Sequence, residues 1–507
     1  MAQQGFWRRV GVYCVGAAMI GFGGWTISGA ASARGATPPP PPPPPPAGHA
    51  PPPSTPTPPP PPQNPPPQNP PPPNPPPANP APPTTAELTQ LGRALFNDNS
   101  LSNPKGTSCS TCHAPQTGWT FPNSNTNQQF GPVPGAVPGR FGSRRPPTIG
   151  YATFMPSGPP TFVAAFLSYA GGFFYDGRAA TLAAQVPGPL QGPNEMNNTP
   201  AGVVQAVAGG PNAHLFQQAF GVPISALAVD EAFADVTEAI VAFESSQAVS
   251  PFSSRYDAYV DGEVKLTPQE MAGLQLFTGS TTGRPGGPVT QKNANCAVCH
   301  VVQATTGQTP DVFAASTFHN TGVPKNPNNP FYKETNKTTN PLGYNPLGAA
   351  FIDFGLGDFL YLEDALPSGN VGHGSNGQGD YLKINGLFKT PTLRNVDTRP
   401  SSSFVKCYGH NGFFKSLSQI VHFYNTRNLT TVAGEVIDFT KASPYAGLKG
   451  KPLWPAPESP SADTLINPSG ARSGLIGNLG LTAQDEANLV AFLRTLSDAP
   501  PSPAPAP

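Results

Sequence analysis

Four of the six cysteines lie in two short motifs that each end in a histidine. The motifs are Cys109-Ser-Thr-Cys112-His113 and Cys296-Ala-Val-Cys299-His300. Both have the form C-x-x-C-H, to which c-type haem is attached. The two thiols form thioethers with the haem vinyl groups, and the adjacent histidine ligates the iron. Redox-active thiols or a zinc site are the other chemistries open to such residues. Because the same spacing occurs twice, the sequence favours two covalently bound haem c groups.

The far side of each haem decides whether it transfers electrons or reacts with a small oxidant. No histidine lies between His113 and His214, so the first haem lacks a distal histidine nearby in the sequence. No methionine follows Met271, so no downstream methionine can ligate the second haem. The candidates for the second haem are His319, His373, His410, His422 and Tyr424.

Tyr424 lies in a predicted helix from Ser416 to Asn425. The apolar side chains of this segment recur at helical spacing and place Tyr424 on the buried face, with His422 pointing elsewhere. On these residues alone, a tyrosine packed in the core is favoured over an iron ligand. Cys407 is expected to be a packed thiol.

The segments before the two motifs resemble each other. Gly92-Arg-Ala-Leu-Phe96 and Gly273-Leu-Gln-Leu-Phe277 each lie in a helical pattern, and capping-type starts precede them at Thr85-Ala-Glu87 and Thr267-Pro-Gln-Glu270. Strand-like alternation is scarce, whereas loops rich in Pro, Gly, Asn and Ser are abundant. The sequence therefore predicts a mainly α fold, with two cytochrome c-like haem domains and long loops. We place these domains at residues 84–255 and 256–498.

The residues outside these domains have a different composition. Residues 38–83 contain 31 of the 72 prolines and no charged side chain, so they cannot bury a core and form a disordered Pro-rich linker. Residues 499–507 are predicted to be a Pro-rich tail. The chain has 28 basic and 28 acidic residues, and this balance argues against nucleic acid as a partner. The composition also excludes a coiled coil, a polytopic membrane protein and a disulfide-dense scaffold.

Residues 1–37 have the features of an export signal. Arg8 and Arg9 precede an uncharged run that ends in Ala31-Ser32-Ala33, which has the form of a cleavage site. We expect a cleaved signal peptide, and the alternative is an uncleaved N-terminal anchor, because the run is long enough to span a bilayer. Both predict a periplasmic protein, and an uncleaved anchor would tether it to the membrane. The Pro-rich linker would then be a spacer, whereas after cleavage it would be a loose leader.

Ordered blocks along residues 86–496 resemble the bacterial di-haem cytochrome c peroxidase / MauG family. The blocks are Gly172-Phe-Phe-Tyr-Asp-Gly-Arg-Ala179, Gln185-Val-Pro-Gly-Pro189 with Asn194-Glu195-Met196, Phe318-His-Asn-Thr-Gly-Val-Pro324, Phe388-Lys-Thr-Pro-Thr-Leu-Arg-Asn395 and Gly409-His-Asn-Gly412. The resemblance implies an N-terminal haem that activates peroxide and a C-terminal haem that relays electrons.

The resemblance also implies roles for individual residues near the first haem. Gln185, Pro189 and Glu195 match the residues that line the family's peroxide pocket. Glu195 is the candidate for moving a proton between the two peroxide oxygens, and Gln185 can hydrogen-bond bound peroxide or water. Tyr175 occupies the position of the aromatic residue between the haems, which is usually tryptophan in the family.

At the second haem, Tyr424 matches the position where MauG-type enzymes have tyrosine and classical peroxidases have methionine. An anionic oxygen ligand would lower the haem potential relative to methionine. His410 matches a position near this haem and is expected to act through hydrogen bonds. The family's calcium site has an asparagine where this chain has Arg145, and Cys407 replaces one of its carbonyl-donor prolines. Because an arginine repels a cation, we expect calcium to bind weakly at most.

Three functions are compatible with the sequence. The first is an exported di-haem peroxidase that reduces hydrogen peroxide with electrons from an external donor, such as a small cytochrome c, a cupredoxin or a quinol-linked protein. The second is a MauG-like enzyme that uses peroxide to oxidise a partner protein. The third is an electron-transfer cytochrome without catalytic activity, in which both irons have six ligands.

Overall fold

The structure is a computed structural model, and it describes residues 82–163, 168–284, 287–290, 292–302, 311–338, 341, 345–364, 384–429, 453–459 and 475–499. The predicted signal segment and His373 lie outside the described residues, as do all but the last two residues of the Pro-rich linker and all but the first residue of the tail. Within the described ranges, no helix has the length and apolar character needed to cross a bilayer.

Helices dominate the regular secondary structure of the described residues. They are α1 (Thr85–Phe96), α2 (Cys109–Cys112), α3 (Ser124–Gln129), α4 (Leu182–Gln185), α5 (Pro187–Gln191), α6 (Pro200–Ala208), α7 (Ala213–Phe220), α8 (Val229–Glu244), α9 (Arg255–Val260), α10 (Pro268–Thr278), α11 (Leu356–Asp364), α12 (Leu417–Thr426) and α13 (Ala483–Arg494). Short 3₁₀ turns and long loops connect them. The predicted mainly α character is confirmed for this part of the chain.

Strands are few and short in the described residues. β1 (Thr161–Val163) pairs antiparallel with β2 (Ser168–Ala170), and Phe162 lies opposite Tyr169. β3 (Phe318–His319) pairs antiparallel with β4 (Phe388–Lys389), and His319 lies opposite Phe388. The second pair joins segments that are about 70 residues apart in the sequence and lies close to the candidate haem sites described below.

The first helix pair consists of α1 and α8, which cross at Gly92. A Cβ atom at this position would collide with the backbone carbonyl of Ala239, so only glycine lets the helices approach so closely. α1 begins with a capping box, in which the Thr84 hydroxyl accepts from the Glu87 N–H at 3.3 Å and the Glu87 carboxylate accepts from the Thr84 N–H at 2.9 Å. The cap is therefore one residue earlier than the predicted Thr85.

The second helix pair repeats this arrangement with α10 and α13. Here Gly273 lies against the backbone of Asn488, where a Cβ atom would also collide. α10 begins with the predicted capping box of Thr267 and Glu270. Each pair also encloses three aromatic rings in mutual contact: Phe96, Trp119 and Phe243 in the first, and Phe277, Phe313 and Phe492 in the second. The short sequence repeat therefore corresponds to a structural repeat.

Two large clusters of buried apolar side chains accompany the two helix pairs. One consists of residues between 88 and 240, and the other of residues between 256 and 496. The proposed boundary between residues 255 and 256 falls between these clusters, although the described residues belong to one compact unit, Pro76–Pro507. Extensive contacts between the two parts explain why they form one unit, and the domain limits stay a prediction.

Candidate haem sites

The local backbone geometry of the first motif brings its two cysteines and its histidine close together. α2 consists of Cys109–Cys112, and the N–H of His113 donates to the carbonyl of Cys109 at 2.9 Å, which closes the helical turn. Nδ1 of His113 lies 3.1 Å from the carbonyl oxygen of Trp119. Since a carbonyl only accepts, Nδ1 carries the proton, and the ring has a further hydrogen bond with the backbone of Pro147. Nε2 is the nitrogen that could bind a metal. Burial lowers the pKa of His113 and keeps the ring neutral.

The first motif opens onto a cavity of about 530 Å³. Its lining includes Cys109, Cys112 and His113, together with the four residues that the resemblance placed at the peroxide site or between the haems: Tyr175, Gln185, Pro189 and Glu195. A cavity of this size is within the usual range for small-molecule and cofactor sites. The structure therefore brings together residues that are up to 86 positions apart in the sequence.

Glu195 lies in the loop after α5, close to the first motif. Two backbone hydrogen bonds fix this loop: the Glu195 N–H donates to the Gly192 carbonyl at 2.9 Å, and the Ala136 N–H donates to the Glu195 carbonyl at 2.7 Å. Burial raises the pKa of the Glu195 carboxyl, although Arg178 opposes this effect. Glu195 in turn adds to the raised pKa of Cys112, which is about 12 mainly because of burial. The carboxyl is therefore close enough to the motif to act within the cavity.

Glu244 is a further carboxyl in this cavity, besides Glu195 and Asp176, and the sequence reasoning missed it. Its side chain is buried at the end of α8, and its Oε2 has no hydrogen-bond partner. Burial raises the pKa of Glu244 to about 8, so the carboxyl holds its proton at neutral pH. One sequence signal could have revealed it: Glu244 follows Val236 and Ile240 at four-residue spacing, on the apolar face of the helix.

Gln185, Pro189 and Tyr175 approach the cavity from different elements. Gln185 ends α4 and Pro189 is in α5, and these two short helices follow each other directly. Tyr175 is buried, and its hydroxyl has no hydrogen-bond partner. Its backbone carbonyl accepts from the N–H of Lys389 at 2.8 Å, which connects the cavity wall to β4. Burial raises the pKa of Tyr175, so its phenol stays neutral.

His113 is the sole histidine among the described residues that line this cavity. Two methionines also line it. The sulfur of Met155 accepts a hydrogen bond from the Ser316 hydroxyl at 3.0 Å, and Met196 packs in the buried core of the first helix pair. Arg144, Arg145, Arg178 and Lys389 supply positive charge around the cavity. These cations suit the two propionate carboxylates that a haem carries.

The second motif has the same local design. The N–H of His300 donates to the carbonyl of Cys296 at 2.9 Å, and Nδ1 of His300 lies 2.9 Å from the carbonyl of Phe313. Burial lowers the pKa of His300 to about 4. Cys296 and Cys299 form no disulfide, and burial raises the pKa of Cys296 to about 12. Nε2 of His300 is therefore again left as a neutral metal-binding nitrogen.

Tyr424 lies beside the second motif, on the predicted helix, which runs from Leu417 to Thr426. Burial raises the pKa of Tyr424 to about 12, and the neighbouring Cys299 contributes to the rise, whereas a hydrogen bond with Thr321 opposes it. The structure thus places this phenol at the second pair of thiols. His422 on the same helix points away and contacts Glu486 of α13, with Nδ1 2.9 Å from Oε1.

His410 and His319 are both buried, and each has a defined neighbour. The His410 ring stacks on Phe388 of β4 at a centroid distance of 3.7 Å, and its Nε2 lies 3.5 Å from Oε2 of Glu458. Nε2 of His319 lies 2.7 Å from the Thr317 hydroxyl. Because each contacts protein groups of its own, these positions are compatible with the hydrogen-bonding role expected of His410.

The residues at the family's calcium positions do not fit a calcium ion. Arg145 and Cys407 do come together, but with Lys406 they line a cavity of only about 10 Å³. The buried ammonium of Lys406 donates to the carbonyls of Thr117 at 2.9 Å and Asn395 at 2.8 Å. Calcium needs six to eight oxygen ligands, whereas here protein cations already bind the carbonyls. Among the described residues, no group of three or more acidic, His or Cys side chains could hold a metal ion.

Both C-x-x-C-H sites do fit a haem. In each, two cysteines that form no disulfide lie next to a half-buried, neutral histidine whose Nδ1 donates to a backbone carbonyl, and at the first site a cavity opens beside them. Glu244 and Tyr175, whose Oε2 and hydroxyl have no hydrogen-bond partner, also line this cavity, and such buried polar atoms call for a partner that the protein itself does not supply.

The sequence and the structure both resemble known di-haem enzymes. The model of the di-haem cytochrome c peroxidase family matches residues 86–265. The methylamine utilization protein MauG of Paracoccus denitrificans is 30% identical over 424 residues, covering 82% of this chain and 90% of that protein. The cytochrome c551 peroxidase of Pseudomonas aeruginosa is 30% identical over 223 residues, covering 43% of this chain and 51% of that protein.

Among solved structures, the diheme peroxidase BthA from Burkholderia thailandensis has a similar fold. The TM-score is 0.59 at 28% sequence identity, over 81% of this chain and 86% of that chain. The likeness to MauG extends over most of the chain. This chain therefore belongs to the di-haem cytochrome c peroxidase and MauG family, oxidoreductases that carry two c-type haems.

Proposed function

We propose that this protein is an exported di-haem peroxidase that reduces hydrogen peroxide to water in the cavity of the first motif. The observation that carries the proposal is the position of Glu195, whose carboxyl, with its raised pKa, lines the same cavity as Cys109, Cys112 and His113. Cys109 and Cys112 would attach the first haem, and His113 would ligate its iron through Nε2. When bound, this haem supplies the iron at which peroxide is held and reduced.

Glu195 would manage the proton in this reaction. Reduction of H₂O₂ to two molecules of water consumes two protons and two electrons, and cleavage of the O–O bond requires a proton on the departing oxygen. The Glu195 carboxylate takes a proton from one peroxide oxygen and returns it to the other. The side-chain amide of Gln185 donates a hydrogen bond that orients the peroxide, while Pro189 contributes an apolar wall that restricts water.

The second motif would relay electrons from an external donor. Cys296 and Cys299 would attach the second haem, with His300 and Tyr424 as iron ligands and His410 as a hydrogen-bonding neighbour. Tyr175 offers a route for electrons between the two sites. Tyr175 lines the first cavity, and its backbone carbonyl accepts a hydrogen bond from the N–H of Lys389. Lys389 lies two residues before Pro391, whose backbone hydrogen-bonds to His300. The donor would be a small cytochrome c, a cupredoxin or a quinol-linked protein in the periplasm.

Replacement of Glu195 with glutamine tests this proposal. Glutamine has the same size and leaves both backbone hydrogen bonds of the loop intact, so both haem spectra should remain unchanged. Because general acid–base catalysis contributes roughly 10²–10⁴-fold, peroxide turnover with a reduced cytochrome should fall by about 100-fold or more. Glu238→Gln, an exposed substitution on α8, is the matched control and should keep full turnover. Equal turnover in Glu195→Gln would remove Glu195 from this role.

A MauG-like oxidation of a partner protein is the second candidate. The position of Tyr424 beside Cys299 favours it, because an anionic oxygen ligand lowers the haem potential and makes the second haem a poorer acceptor for electrons from a small donor. Steady-state assays separate the two functions. Rapid peroxide turnover with reduced cytochrome c or cupredoxin supports the peroxidase, whereas negligible turnover with these donors, in a protein whose haem spectrum still changes on addition of peroxide, supports the second candidate.

A further inference from the structure

The two haem sites share a feature that lies outside their motifs: a threonine that follows a proline. The pairs are Pro147-Thr148 in the first site and Pro391-Thr392 in the second. Thr148 lies 35 residues after His113 and Thr392 lies 92 residues after His300, yet each threonine contacts the chain next to the carbonyl that bonds to its histidine. The repetition of one arrangement in two parts of the chain indicates a common task.

In the first site, Thr148 fixes the peptide that precedes Trp119, one of the two residues whose backbone hydrogen-bonds to His113, and directly follows the other, Pro147. The Thr148 hydroxyl donates to the carbonyl of Gly118 at 2.9 Å and accepts from the N–H of Gly150 at 3.0 Å. The next residue after Gly118 is Trp119, whose carbonyl receives Nδ1 of His113. The hydroxyl therefore holds the chain one peptide before the acceptor.

In the second site, Thr392 makes the equivalent contacts. Its hydroxyl donates to the carbonyl of Val312 at 2.6 Å and accepts from the N–H of Arg394 at 3.0 Å. The next residue after Val312 is Phe313, whose carbonyl receives Nδ1 of His300. In both sites, the threonine hydroxyl donates one hydrogen bond and accepts one. It donates to the residue before the one whose carbonyl bonds to the histidine, and it accepts from the residue two positions after the threonine.

Backbone strain explains why the acceptor residues need to be held. Trp119 has a φ of 61° and Phe313 a φ of 51°, which is the left-handed region that bulky residues rarely adopt. Such a conformation costs of order 1–3 kcal/mol and persists only where the surroundings enforce it. The aromatic rings are enclosed by the helix pairs, while the threonine hydroxyls fix the adjoining peptides. Loss of a hydroxyl would let the carbonyl move away from the histidine.

We propose that Thr148 and Thr392 are positioning residues that hold the carbonyls of Trp119 and Phe313 on Nδ1 of His113 and His300, and thereby set how strongly each histidine donates to its iron. A hydrogen bond from Nδ1 to an acceptor makes the imidazole a stronger donor and fixes its orientation. A stronger donor favours ferric iron and lowers the haem potential. This inference rests on the proposed assignment of the two histidines as iron ligands.

The test uses the holoprotein with both haems and compares valine and serine at each threonine. Valine keeps the shape of threonine but removes the hydroxyl, whereas serine retains it. Thr148→Val should raise the reduction equilibrium constant of the first haem by up to about tenfold, or about 59 mV, and leave the second unchanged. Thr392→Val should do the reverse, and each serine variant should restore the wild-type potential.

Each variant also provides a control for the other, because a general loss of stability would not select one haem. Unchanged potentials in both valine variants would overturn the proposal, as would equal shifts of both haems in each variant. Resonance Raman spectra of the ferrous wild type separately test the underlying ligand assignment at the first haem, whose iron has His113 as its one proposed protein ligand. An absent iron–histidine stretch would contradict the ligand assignment itself, whereas unchanged potentials with that stretch present would contradict the threonine role alone.

Discussion

Replacement of Glu244 with glutamine should stabilise the folded protein by an amount that grows with pH. Glu244 is only 5% exposed, and its Oε2 has no hydrogen-bond partner. Burial raises its pKa from 4.5 to about 8. The folded state therefore holds a proton that the unfolded chain releases above pH 4.5. By linkage, this group lowers the free energy of unfolding progressively as the pH rises from about 4.5 to about 8.

The size of the effect follows from the pKa difference. A difference of about 3.5 pKa units, at about 1.36 kcal/mol each, corresponds to about 5 kcal/mol above pH 8 and about 3 kcal/mol at pH 7. Glutamine has nearly the size of a protonated carboxyl and is uncharged in both the folded and the unfolded chain. The substitution therefore removes this contribution to the pH dependence of the free energy of unfolding. The difference in free energy of unfolding between Glu244→Gln and the wild type should therefore increase by up to about 5 kcal/mol from pH 4 to pH 9.

Urea unfolding of the holoprotein at pH 4, 7 and 9, followed by far-ultraviolet circular dichroism, measures this difference. The haems remain covalently attached in the unfolded chain, so haem loss does not complicate the comparison. Glu238→Gln on the same helix is exposed and affects only the partly buried Asp235, so its pH-dependent difference should be much smaller than that of Glu244→Gln. A Glu244→Gln stabilisation that stays constant from pH 4 to pH 9 would refute the claim that burial keeps this carboxyl protonated.

Two further substitutions test the second site and the contact between the two parts of the chain. Tyr424→Met should raise the potential of the second haem and change its absorption spectrum, because a neutral thioether replaces an oxygen ligand; an unchanged spectrum would show that Tyr424 is not a ligand. Lys406→Met should lower the free energy of unfolding by about 1–3 kcal/mol, because it removes the donor to the carbonyls of Thr117 and Asn395. A calcium chelator should leave the unfolding midpoint and both haem spectra of the wild type unchanged, and destabilisation by the chelator would contradict the poor fit to calcium.

The sequence was most informative where the chemistry is local. Cys109, Cys112 and His113 lie within five positions, so their spacing alone indicated their joint use. The capping box at Thr267 and the helix from Leu417 were also predicted correctly, because caps and apolar periodicity depend on neighbours within a few turns. The cap at Thr84 was misplaced by one residue, since two adjacent threonines offer the same hydroxyl.

Residues that depend on tertiary contacts were harder to predict. Glu195 and Gln185 entered only through family resemblance, because nothing in their local sequence distinguishes them from surface residues. Glu244 and Lys406 were missed, since charged side chains are usually exposed and their burial results from packing against distant segments. The threonines were missed for the same reason: the Gly118 carbonyl that Thr148 binds lies 30 residues away.

Electron paramagnetic resonance of the resting ferric holoprotein tests the central claim most directly. A haem that reduces peroxide needs an open position on its iron, and His113 is the one histidine among the described residues lining the first cavity. We expect a high-spin ferric signal from the first haem in addition to the signal of the second. Low-spin signals from both irons, with no high-spin component, would contradict the peroxidase account and favour an electron-transfer cytochrome.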